Sequence, residues 1–282
     1  MITANDKASI ADKKGSIQQQ KFMKCHRIHH RIVVFVRMLL AVLFLVFWEA
    51  GTRFGIIDAF FFSSPSRLFT LLIQMIKDNS IFLHTGITLL ETLISFFLVF
   101  IISLVFATIL WYSPRLSEIL EPFWVMLNAL PKSALAPLFI VWLGTGSLTI
   151  ITAGLSVAIF GSIISFYTAF KQCDSDRVKL IKTLGGTRTD AFLKVVLPSS
   201  VPLLLSVTKV NIGLSLVGVI IGEFLASKQG LGYLIIYGSQ VFQLNLVILN
   251  IVILSFIAMG LYQGIQSIEH LIKKKMGVIS TP

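Results

Sequence analysis

Apolar residues in this chain run in blocks far longer than one face of a helix or strand requires. Six stretches approach the roughly 20 apolar residues needed to cross a bilayer core of about 30 Å. They are about 32–51, 87–112, 118–143, 147–170, 199–225 and 243–267. Glu91 alone interrupts the second; the third carries Asn128, Pro131, Lys132 and Pro137, and the fifth carries Lys209, Asn211 and Glu223. The pattern predicts an all-α membrane protein with six transmembrane helices. Between the first two stretches, Ser63-Ser64-Pro65-Ser66 is a helix-start signal. Leu68, Leu71, Leu72 and Met75 then recur at helical spacing, which predicts a short interfacial helix. No internal repeat relates two halves of the chain, and this weighs against a secondary carrier built from inverted repeats.

Composition agrees with the pattern. Of 282 residues 55% are hydrophobic and 13% charged, with a mean hydropathy of +0.87, too little charge to cover a soluble surface of this size. The net charge of +11 could suggest nucleic acid, but the basic residues sit in the gaps between apolar runs and form no stripe. Those gaps set the orientation. With the N-terminus in the cytoplasm, 17 Lys and Arg fall inside and 4 outside, a strong positive-inside bias. This predicts a basic, disordered cytoplasmic tail over 1–31 and an uncleaved first span. A membrane domain follows over 32–270, with a second cytoplasmic tail over 271–282.

Candidate chemistry is sparse. Cys25 and Cys173 give no disulfide framework. Cys25, His26, His29 and His30 include an i, i+4 histidine pair that could bind zinc on a helix. No second ligand pair follows, so we assign no metal and read the segment as attracted to anionic lipid. There is no GxxxxGK[ST], H-E-x-x-H or G-x-S-x-G, so no catalytic residue and no cofactor is assigned to this chain. Any ATP is bound by a partner.

The most informative polar segment is 171–198. Val178, Ile181 and Leu184 form an apolar stripe with Arg177, Lys179 and Lys182 on the other faces; Asp174 or Ser175 can cap that helix, and Gly185-Gly186 can end it. A second short helix places Ala191, Phe192, Val195 and Val196 on one side, after Thr187 or Thr189 and before Leu197-Pro198 and Pro202. Helices this short are not stable alone in water. Their apolar faces need either the protein's own membrane bundle or a partner.

Thr183-Leu184-Gly185-Gly186, Val195-Val196-Leu197-Pro198 and Pro202 together resemble the EAA loop of binding-protein-dependent ABC importer permeases. In register with it are Ser64-Pro65-Ser66, Leu130-Pro131 through Ala134, Ala136-Pro137-Leu138, Trp142 to Gly146, Gly222-Glu223 and Gly230 to Leu234. Order and spacing are similar to the nitrate/sulfonate/taurine-type branch from about residue 40 to 270. The resemblance implies an ABC type I importer permease fold in a bacterial plasma (inner) membrane. It also implies a homodimeric pair of permeases, a cytoplasmic ABC ATPase dimer and an extracytoplasmic solute-binding protein. The cargo it implies is a small anion or related organic compound. The loop would enter a groove of the ATPase through Val178, Ile181, Leu184, Gly185, Gly186, Phe192, Leu197 and Pro198, with Gly185 allowing close backbone approach. The family's Glu-Ala-Ala triplet is replaced by Lys179-Leu180-Ile181.

Charge inside a membrane costs about 2.5–3.5 kcal/mol on insertion scales, so intramembrane polar residues are functional candidates. Asn128, Lys132, Ser133, Lys209 and Asn211 are candidates for the wall of a translocation path, where a cation suits an anionic substrate. Lys132 could instead reach an interface or pair within the bundle, and Lys209 could pair with Glu91. Glu223 is expected to bond the loop holding Gly230 and Gly232. Trp111, Tyr112 and Trp142 suit an interfacial aromatic belt. The rival classes are a channel or carrier independent of an ATPase, a membrane-embedded enzyme, and an ABC permease for a pyrimidine or vitamin precursor.

Overall fold

The computed structural model describes residues 32–275, and among these every regular element is helical. The first tail, with Cys25, His26, His29 and His30, lies outside the described residues, as do residues 276–282 of the second, whose first five residues are the end of a helix. The chain divides into two compact units that meet at Arg67–Leu68.

In the first unit, α1 is a 22-residue apolar helix, Ile32–Arg53. Glu49 holds its last turn by a 2.8 Å ion pair with Arg53 and accepts from the Ser66 backbone N–H. Asp58 caps the single turn α2, Ala59–Phe62, by accepting from Phe60 N–H at 2.8 Å. Helix α3, Pro65–Lys77, begins at the proline of the Ser-Ser-Pro-Ser signal, where a missing N–H costs nothing, and all but its first three residues belong to the second unit.

The second unit is built around three long helices: α4, Ser80–Tyr112; α7, Ser147–Lys171; and α10, Leu197–Ala226. Helix α7 lies between the other two and packs along both. Close approach depends on small residues, as expected where lipid removes most of the hydrophobic drive. Gly218 and Gly222 form a GxxxG face on α10. A Cβ on Gly218 would stand 2.7 Å from Gly154 Cα, and one on Gly222 would stand 2.8 Å from Ile150 Cα. Hydroxyls bridge the same seams: Ser95 donates to Ile151 O at 3.2 Å, and Ser200 to Ala169 O at 3.0 Å. Large apolar side chains, Phe97, Ile101 and Val217 among them, remain outward-facing. That distribution suits lipid as the solvent.

The stretch expected as one span over 118–143 is instead two helices. These are α5, Pro114–Ala129, and α6, Lys132–Leu143, meeting at 92°. Pro131 lacks an N–H and forces Leu130 into extended backbone (φ −61°, ψ 137°), which ends α5. Among the described residues, five helices are long and apolar enough to cross a membrane alone, and there are six spans if this bent pair counts as one. After α10, the short α11, Leu231–Gln240, leads into α12, Leu244–Lys275. Helix α12 runs eight residues past the apolar stretch expected to end near 267.

Candidate coupling site

Residues 171–198 form a jointed arm whose local chemistry explains each bend. Helix α8, Ser175–Thr183, starts at Asp174, whose carboxylate accepts from Asp176 N–H at 2.9 Å. It ends in a Schellman motif: Gly186 N–H donates to Ile181 O at 2.9 Å and Gly185 N–H to Lys182 O at 3.0 Å. The two glycines serve different ends. Gly185 sits at φ +82° with open space around it, and the sign of φ by itself favours glycine there. Gly186 instead packs within the loop itself, where a Cβ would lie 2.6 Å from Ile181 Cγ2.

Thr187 and Asp190 then form a reciprocal capping box. Asp190 N–H donates to Thr187 Oγ1 at 3.1 Å, and Thr187 N–H donates to Asp190 at 3.0 Å. The Lys194 ammonium, 2.7 Å away, together with Thr187 holds the Asp190 carboxyl well below the usual carboxylate range. This box starts α9, Arg188–Ala191, which passes through one wide turn, Phe192–Val196, directly into α10. In that turn Leu197 N–H reaches back to Phe192 O, a five-residue spacing. Pro198 follows at once and has no N–H to donate, so the register shifts where the ladder would lose a bond anyway. Helix is therefore unbroken from Arg188 to Ala226.

The arm's inner face is fixed to the bundle. Ala191, Phe192 and Val196 are buried in a cluster with Ala107, Phe166, Ala169, Phe170 and Leu204. The Phe192 ring lies 5.0 Å from Trp111, 5.3 Å from Phe170 and 5.6 Å from Tyr112. Arg188 Nη2 donates to Trp111 O at 3.0 Å, capping the carbonyl end of α4, while its guanidinium lies over the Trp111 ring. Trp111 and Tyr112 are thus arm anchors, which an interfacial-belt role does not require.

The outer face is different. Leu184 is 76% exposed, Leu180 57% and Leu193 56%. Of the expected stripe, Val178 and Ile181 are half-buried, and only Leu184 points away. Leu180 and Leu193 are absent from the stripe read in the sequence. The i, i+4 spacing of Leu180 and Leu184 is the signal that marks the outward face. Leu197 is half-buried and Pro198 exposed at the arm's root. Between α8 and the bundle lies a cavity of about 470 Å³ whose walls include Trp111, Glu118, Lys171, Cys173 and Lys182.

The intramembrane candidates are not gathered into one place. Lys132 donates to Leu127 O and Asn128 O, capping α5 at the elbow, and its ammonium lies 5.1 Å from the Phe160 ring centroid. Asn128 and Ser133 are exposed at the same elbow. Asn211 is buried and donates to Ser162 Oγ at 2.8 Å. Lys132, Asn128 and Asn211 thus border Phe160, Gly161 and Ser162 of α7. Lys209 does not: its ammonium pairs with Glu269 of α12 at 2.6 Å, and this corrects the expected pairing with Glu91. Glu91 is buried on α4 facing Ser147 and Glu223. Glu223 accepts from Gly232 N–H and from Thr88 Oγ1, both at 2.6 Å, and Thr88 in turn accepts from Leu231 N–H at 2.9 Å. The 230–232 loop is thereby latched to α4 and α10.

Comparison with known proteins fits this geometry. Residues 99–269 match the family described as "Binding-protein-dependent transport system inner membrane component". A Haemophilus influenzae protein described as an ABC transporter permease is 28% identical over 237 residues, 83% of this chain and 94% of its own length. A Bacillus subtilis protein described as an aliphatic sulfonates transport permease is 24% identical, covering 78% of this chain and 80% of the relative. The riboflavin transport system permease of Chloroflexus aurantiacus is 27% identical, covering 82% and 86%. Among solved structures, a chain of the MetNI methionine ABC transporter in an inward-facing conformation superposes with a TM-score of 0.60. That match has 18% identity and covers 66% of this chain and 93% of that one, so it speaks to fold alone.

Proposed function

We propose, from the premise that the chain belongs to the binding-protein-dependent transport system inner membrane component family, that residues 171–198 are the handle through which a cytoplasmic ABC ATPase drives it. The family makes the chain a multi-pass membrane subunit of an ABC importer, with ATP hydrolysis residing in a partner. The observation that carries the finer reading is the two-faced arm. Phe192 and Arg188 fix one face to the bundle, while Leu180, Leu184 and Leu193 present apolar surface outward. Exposed large apolar side chains on a charged loop suit an interaction site. ATPase closure would draw two such arms together in a dimer of this chain and rock the bundles between two states. Both termini would lie in the cytoplasm, as the basic residues dictate.

The cargo we infer is a small sulfonate-, nitrate- or taurine-like anion handed over by a binding protein. The sulfonate relative and the cationic Lys132 at the α5–α6 elbow, beside Asn128 and Ser133, support this choice. A vitamin-type cargo is the second reading, favoured by the likeness to the riboflavin permease. The test is co-purification with the ATPase and binding protein, followed by uptake into proteoliposomes. Sulfonate uptake that requires ATP and the binding protein supports the anion reading. Uptake of a flavin or pyrimidine instead refutes it, and uptake by the lone chain without an ATPase refutes the coupling role altogether.

A further inference from the structure

The ion cluster joining α10 and α12 plays no part in the coupling argument. Lys209 Nζ lies 2.6 Å from one oxygen of Glu269, and Lys273 Nζ lies 2.7 Å from the other. One carboxylate, its side chain 7% exposed, thus answers two ammonium groups and leaves one positive charge over. A cleft of about 610 Å³ opens on this cluster and is also lined by Ser267, His270 and Leu271. Lys209 lies 17 residues before Ala226, which is about 26 Å along α10. Glu269 lies 25 residues after Leu244, about 37 Å along α12. Against a hydrocarbon core of about 30 Å, Lys209 falls just inside one boundary and Glu269 just beyond it, so their joined side chains sit where acyl chains meet headgroups, and the span expected from residue 199 starts nearer Lys209. The flanking apolar residues face outward there, Leu271 at 66% exposure and Ile268 at 51%.

A surplus cation at headgroup depth beside outward leucine and isoleucine side chains fits an amphiphile with an anionic head better than a soluble ion. We propose that this cleft binds the phosphate of an anionic phospholipid. Lys273 and His270 contact the head, Lys209 supplies field through Glu269, and Leu271 and Ile268 meet the acyl chains. The inference rests on the chain being a membrane protein and is independent of its cargo.

The test titrates the purified full-length chain in detergent with short-chain phosphatidylglycerol or phosphatidylcholine and counts retained lipid by native mass spectrometry. Phosphatidylglycerol should be retained preferentially. Lys273→Gln, which leaves the Lys209–Glu269 pair in place, should weaken its binding about fivefold, as loss of one lysine near a headgroup does, and leave phosphatidylcholine unchanged. His270→Ala, a second variant at the same cleft, should also weaken it. Equal retention of the two lipids, or wild-type phosphatidylglycerol binding by both variants, overturns the proposal. Full displacement by glycerol phosphate at matched concentration identifies a free oxyanion site and overturns the lipid assignment. A protein that never recovers an ATPase yet shows the lipid preference loses the coupling reading and keeps this one.

Discussion

Replacing Phe192 with alanine should separate ATP hydrolysis from transport. The ring is 5% exposed and sits within 5.0–5.6 Å of three aromatic neighbours. Truncating an enclosed phenylalanine costs about 3–5 kcal/mol. Three aromatic pairs at about 0.5–1.5 kcal/mol each account for much of that. A loss of about 4 kcal/mol corresponds to nearly three decades in an equilibrium constant. An arm held closed by no more than that would spend most of its time detached. Helix is continuous from Arg188 to Ala226, so an arm detached from α4 and α7 can still pull on α10 but no longer carries α4 and α7 with it. The α7–α10 seam at Gly218 and Gly222 does not involve Phe192, so the bundle itself should persist. In proteoliposomes with ATPase and binding protein, solute moved per ATP should fall at least tenfold, while the amount of inserted protein stays near wild type. Limited trypsin digestion should cut faster at Lys179 and Lys182. Phe192→Leu, which keeps most of the apolar volume, should recover most of the coupling. An alanine variant that moves as much solute per ATP as wild type would refute the reasoning.

Gly185→Val places a β-branched residue at φ +82°, where even an ordinary L-residue pays about 1–2 kcal/mol; transport and substrate-stimulated ATP hydrolysis should fall with insertion unchanged, as read by uptake and membrane blots. Leu180→Glu combined with Leu184→Glu removes only outward apolar surface, so the thermal midpoint should hold while co-purification of the ATPase is lost. Gly222→Leu drives a side chain into Ile150 Cα and should cost about 1–3 kcal/mol as overpacking, visible as a lower thermal midpoint in detergent. Glu223→Ala deprives Gly232 N–H and Thr88 of their shared acceptor, at about 1–3 kcal/mol for each buried group left unpaired, and hydrogen exchange should accelerate at residues 230–232.

The features legible in the sequence are those governed by neighbours along the chain. A cap at Asp174 or Ser175, a stop at Gly185-Gly186 and a start at Thr187 or Thr189 each follow from which side chain or φ a helix end requires, and the structure takes Asp174, the glycine pair and Thr187. Glu223 meeting the 230–232 loop was legible for a related reason, since only a few residues separate them. Hydropathy measures something narrower than helix length. It marks the part of α12 that suits hydrocarbon and is silent about the polar turns reaching Lys275, so Glu269 falls beyond the expected span and Lys209 is assigned the wrong carboxylate. It likewise counts 118–143 as one length, because a sum over residues does not register the direction change at Pro131. The choice among Val178, Leu180, Ile181 and Leu184 as the outward residue depends on how α8 rotates against the bundle, and that is set by contacts far away in sequence.

The fixed points along α10 constrain how the arm could act. The helix is held just before its start through Phe192 to α4 and α7, in its second half by Gly218 and Gly222 against α7, and near its end by Glu223 to Thr88 of α4. Sliding α10 along α7 would bring Gly222 off Ile150 and push neighbouring branched residues into backbone. Packed interfaces of this kind resist continuous deformation. On the proposed mechanism, a pull on α8 and α9 must therefore carry α4, α7 and α10 together as one body. The compliant places are then those where the chain already departs from straight helix: the Pro131 elbow and the glycine joint at residues 185–186. A cysteine cross-link between α7 and α10 in the Ala153–Gly218 region should consequently leave transport intact. One that bridges the α5–α6 elbow to α7 near Gly161 should stop it.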